Sequence, residues 1–143
     1  MNREQESSPD ASEKKMKLIE ECVQSLKGAD TPEEIGKILD NLLEDREGVF
    51  GGDEQGAEGK RILGDRMRGK MKDELKNWLG EKAKREDLAN QVEEHAGAWE
   101  RPSQASSWVT EHIMSQLENP EELFRILRDH LVSELEDFER TVR

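Results

Sequence analysis

Three histidines, a run of cations and a set of tryptophans are the residues of this chain with chemical potential. His130 and Glu134 fall one helical turn apart, as two metal ligands would, but a solvated or partly buried histidine on an acidic helix is the far commoner arrangement. Residues three before His95, His112 and His130 are Val92, Val109 and Leu127, so the Glu-x-x-His pairs of di-iron bundles are absent. No His-Glu-x-x-His, Cys-x-x-Cys or nucleophile-elbow sequence occurs. The sequence therefore suggests no catalytic, cofactor-binding or metal-ligating residues, and an enzyme is the last of the functional readings.

The cations are better placed to act. Lys60 to Arg85 holds ten Lys and Arg against four Asp and Glu, a local charge of +6 in a chain of net charge −12. Within it Arg61, Arg66, Arg68, Lys70, Lys72 and Lys76 accompany an apolar stripe of Leu63, Met67, Met71, Leu75 and Trp78. A basic amphipathic helix can meet nucleic acid, an anionic lipid surface or an acidic groove, or it can neutralise acidic neighbours within its own protein. Trp99, in a connector beside Gly97 and Pro102, is positioned to be exposed to a partner, whereas Trp78 and Trp108 read as core anchors. The candidate partner-binding residues are thus Arg61, Arg66, Arg68, Lys70, Lys72, Lys76, Trp78 and Trp99.

These residues must be held by helices. Residues 1–11 carry no apolar residue between Met1 and Ala11 and read as a disordered tail. Ser12 then caps a helix with Met16, Ile19, Cys22, Val23 and Leu26 on one stripe, ending at Gly28. Thr31-Pro32-Glu33-Glu34 is a capping box with proline at the first helical position, and it opens a helix whose apolar face is Ile35, Ile38, Leu39, Leu42 and Leu43. Residues 12–47 form one helical hairpin.

Residues 48–59 hold five glycines and read as a flexible linker, with Val49 and Phe50 available to pin it to the core. The Gly-Lys-Ser/Thr ending of a phosphate-binding loop is missing. Residues 60–98 then supply the basic helix and a short second one. Leu79 and Leu88 are nine residues apart, which puts them on opposite sides of any continuous helix, so the helix breaks near Gly80 and restarts near Glu86. Residues 103–143 give a second outer hairpin, capped at Ser106 or Ser107 and again at Asn119.

That last hairpin resembles the first. Thr31–Leu43 aligns without gaps on Asn119–Leu131, 88 residues later, with six of thirteen positions identical. The pattern predicts an all-α domain over residues 12–143, a five- or six-helix bundle of antiparallel hairpins with a possible internal duplication. The segment Met71–Val92 is a weaker third copy, because Lys84-Arg85 replace the Thr-Pro cap.

Composition narrows the class. The single cysteine, Cys22, excludes an internal disulfide framework and fits a reducing, cytoplasmic setting. No apolar run approaches the roughly 20 residues of a membrane span. The expected function is that of an acidic adaptor, regulator or assembly factor that binds another protein, with self-association through surplus apolar faces. The alternatives are polyanion binding (RNA, DNA or anionic lipid) through residues 60–85, and an acidic mimic of nucleic acid.

Overall fold

A computed structural model describes the backbone of residues 3–142 and the side chains of residues 13–141. Six α-helices follow one another: α1 (Arg3–Lys27), α2 (Pro32–Glu44), α3 (Glu54–Glu81), α4 (Glu86–Ala96), α5 (Pro102–His112) and α6 (Pro120–Val142). A single 3-10 turn, Met114–Gln116, lies between α5 and α6. The described residues contain no strand, and the helices pack as the bundle expected from the sequence. The helix α1 begins before Ser12, the cap that the sequence suggested; the tail expected over residues 1–11 lies outside the described side chains.

The second helix starts as its sequence demands. Thr31 Oγ1 accepts the Glu34 amide at 3.2 Å, and Glu34 Oε1 accepts the Asp30 amide at 3.2 Å, so two orphan donors are satisfied. It ends on Asp45, whose backbone takes the left-handed conformation (φ 49°) and whose buried carboxylate accepts the amides of Val49 at 2.7 Å and Phe50 at 2.9 Å. Lys60 reaches the same carboxylate at 3.8 Å.

These contacts correct the expected linker over residues 48–59. Phe50 is buried, Asp53 caps α3 by accepting the Gly56 amide at 2.9 Å, and residues 54–59 are helical. Gly56 is required there, because a Cβ would lie 2.2 Å from the Gly51 carbonyl oxygen and 2.5 Å from that of Phe50. The glycines serve close approach rather than slack.

The helix break near Gly80 is present: α3 stops at Glu81 and α4 starts at Glu86. The fifth helix starts earlier than Ser106. Pro102 occupies its first turn, and Gln104 Oε1 accepts the amides of Glu100 (2.6 Å) and Arg101 (3.1 Å), a cap formed by a glutamine that reaches backward.

Helix pairing departs from three antiparallel hairpins. α1 packs on α2, and α3 packs on α4, but α5 and α6 hardly touch. Instead α5 lies along α2, and α6 lies between α1 and α3. One position accounts for the α2–α5 contact. A Cβ at Gly36 would fall 2.7 Å from Ser103 Cα and 2.8 Å from Ser106 Oγ, so the two backbones cross where neither helix carries bulk. Asp40 on α2 also accepts the Ser103 amide at the start of α5, at 3.1 Å. Ser106 is fully buried and its hydroxyl finds no partner among the described residues, a cost accepted for its small size.

The core is aliphatic. Ile19, Leu26, Ile35, Leu39, Leu63, Met67, Met71, Leu75, Leu79, Leu88, Ile113 and Leu123 are each fully buried. Ile62 is the one exposed large hydrophobic among the described residues. Leu18, Ile38, Leu43, Met114, Leu117 and Ile126 pack against this core while remaining half-buried.

Candidate interaction surfaces

Each cation singled out from the sequence has an acidic or carbonyl partner in its own chain. Arg61 donates to Glu58 and, at 3.0 Å, to Asp65 on α3 itself. Arg66 reaches across to α6, where its guanidinium meets Glu134 at 2.6 Å and lies over the Phe138 ring at 5.6 Å. Arg68 pairs with Asp65 and donates to the Glu100 carbonyl. Lys70 stands 3.5 Å from Glu74, one turn along α3. Lys72, at 3.2 Å, and Lys76 converge on Glu93 of α4. The Glu93 carboxyl is consequently held below the usual range for a glutamate, first by its hydrogen bond from Lys76 and then by that from Lys72.

Both tryptophans are buried, though the Trp99 indole N–H finds no hydrogen-bond partner among the described residues. Trp78 is buried and its indole N–H donates to Glu122 at 3.2 Å. Trp99 corrects the expectation of an exposed aromatic: it is buried against Trp108, with ring centroids 5.8 Å apart. Trp108 also sits 5.1 Å from His95 and 5.2 Å from His112, so the helix ends of α4 and α5 meet in one aromatic cluster. Sequence spacing does not reveal that cluster, because its members belong to three separate segments.

The remaining residues of chemical interest are dispersed. His130 and Glu134 do not converge on a common point; His130 stands 3.1 Å from Glu74 and Glu134 binds Arg66. No group of three metal-ligating side chains occurs among the described residues. Cys22 is buried, and burial pushes its thiol pKa up to about 12, far from thiolate chemistry at neutral pH.

Acidic groups on the outer helices are arranged differently from the basic ones. Glu20 and Glu21 on α1, Glu33 on α2 and Glu121 on α6 are exposed and make no ion pair among the described residues. Between α1 and α6 lies a groove of about 690 Å3 lined by four glutamates, Glu20, Glu21, Glu136 and Glu139, together with Lys17, Val23, Gln24 and Ser25. Sequence reasoning missed it, since its two banks are more than a hundred residues apart. No helix among the described residues is long and apolar enough to cross a membrane. No protein-family model matches this chain, and no curated protein or solved structure is significantly similar to it.

Proposed function

We propose that this is a non-enzymatic, acidic helical interaction protein, an adaptor, regulator or assembly factor that works by binding another protein. The observation that carries this reading is the unequal neutralisation of its charges. Cations of α3 are matched within the chain, whereas Glu20, Glu21, Glu33 and Glu121 on α1, α2 and α6 are left to solvent, outnumbering unpaired cations there such as Lys17, Lys37 and Arg125 in a chain of net charge −12. A net excess of one sign steers and selects partners of the opposite sign. The partner surface implied is a basic one, and the groove between α1 and α6 offers it a seat.

Polyanion binding through residues 60–85 would draw on cations already held by Glu58, Asp65, Glu74, Glu93 and Glu134. Releasing them would cost the pairs they make. That asymmetry favours the protein-binding reading over nucleic acid or anionic lipid.

The test uses a Lys/Leu-rich amphipathic peptide as a defined probe and titrates it against the full chain. The double substitution Glu20→Lys with Glu136→Lys should weaken the complex at least tenfold. The charge-matched change of Glu33→Lys with Glu118→Lys should weaken it far less. Equal losses from both pairs would reduce the interaction to net charge and overturn the assignment to the groove. Absence of binding in low salt would overturn the reading itself.

A further inference from the structure

We propose that α4 is an intramolecular occupant of a docking face on α3, and that an acidic amphipathic helix of a partner protein takes this face when α4 swings away. The proposal stands apart from the acidic groove: it concerns the basic side of the molecule and a partner of opposite charge.

Helix α4 has eleven residues, packs chiefly on α3, and meets α5 only at its C-terminal end, where His95 lies against Trp108. The chain enters it through Lys84, which holds a left-handed backbone (φ 56°) that a residue with a Cβ adopts at a cost. Its N-cap residue, Arg85, makes no side-chain capping bond, whereas Thr31 and Asp53 cap α2 and α3. Its ionic link to α3 is Glu93 between Lys72 and Lys76, and the Glu93 side chain is 51% exposed, open to screening by salt. Helices held by few contacts open locally before the whole domain unfolds.

What α4 leaves behind defines the partner. Leu88, Ala89 and Val92 are the residues it buries, and Lys72 and Lys76 are the cations it covers. The vacated side of α3 would present an apolar strip flanked by two lysines. Its complement is a helix with apolar residues one turn apart and a carboxylate beside them, the pattern that Leu88, Val92 and Glu93 display in α4 itself. Cations that look neutralised in the closed protein become recognition groups in the open one.

Hydrogen exchange on the full chain tests the opening. Amides of residues 88–96 should exchange about tenfold faster than those of residues 123–135 in α6, and faster still in high salt. Glu93→Lys should raise α4 exchange roughly another tenfold and leave α6 unchanged. A synthetic peptide with the sequence of residues 82–98 should then bind the Glu93→Lys chain at least tenfold more tightly than the unaltered chain. Exchange of α4 in step with α6 in both proteins, or equal affinity of the peptide for both, would overturn the proposal. Lys84→Gly supplies a second variant that keeps every contact to α3. It should slow α4 exchange by relieving the left-handed strain, and unaltered or faster exchange would count against the device.

Discussion

Helices α2 and α6 begin with nearly the same words and end with different neighbours. Both open on proline and two glutamates, and both bury the fifth and ninth residues of the aligned stretch: Ile35 and Leu39 in one, Leu123 and Leu127 in the other. Where α2 has Gly36, α6 has Phe124. The glycine lets α2 lie with its backbone against α5, while Phe124 is buried by its own ring, with Arg128 above it at 5.5 Å. A shared pattern of caps and apolar residues fixes what a helix is. One residue at a crossing point fixes which helix it can touch.

The comparison can be broken most severely by exchanging that residue. Gly36→Phe should destabilise the fold by about 3 kcal/mol or more in urea denaturation, because its Cβ alone would meet the Ser103 backbone. A variant of normal stability would mean that α2 and α5 do not cross so closely. Asp45→Ala comes next, at about 2 kcal/mol, since it strands the buried amides of Val49 and Phe50 and removes a residue suited to the left-handed backbone. Limited proteolysis should find new cleavage in residues 48–53.

Thr31→Ala should cost about 1 kcal/mol through loss of the cap on α2. The matched change Asn119→Ala sharpens the parallel: a similar cost would say that α6 starts in the same way, and no cost would separate the two helices at their first turn. The smallest effect concerns α4, whose sequence matches α2 without the Thr-Pro cap. Its Glu93 carboxyl lies below the ordinary glutamate range, so the tie to Lys76 and Lys72 is present at neutral pH. It is lost as the pH falls through the lowered value. Protection of α4 amides, taken relative to the intrinsic exchange rate at each pH, should therefore fall under acid conditions before that of α6, and Glu93→Gln should abolish that difference.

Element boundaries were legible wherever local chemistry writes them. The Thr31 capping box, the phase change between Leu79 and Leu88, and Gly97 at the end of α4 all depend on residues within one or two turns. The α5 start was missed because its cap runs backward from Gln104, against the usual Ser or Thr signal. The glycine-rich segment was misread because composition cannot distinguish freedom from close approach. Asp45 and the carbonyls facing Gly56 make that distinction. Pairing between helices was not legible either. Arg66 with Glu134 spans 68 positions and Trp78 with Glu122 spans 44, so nothing local marks them as partners.

The side-by-side placement of α1 and α6 governs how the molecule must assemble. Arg128 donates to the Ala29 carbonyl, 99 residues back along the chain, and the α1–α6 contact as a whole closes a loop of that order. Such closure carries an entropic cost and slows folding relative to bundles built only from neighbouring hairpins. During synthesis α1 therefore emerges long before its principal neighbour, and its apolar stripe of Ile19, Cys22, Val23 and Leu26 has only α2 to cover part of it until α6 arrives. The interval between the two is when this chain depends most on its charge for solubility.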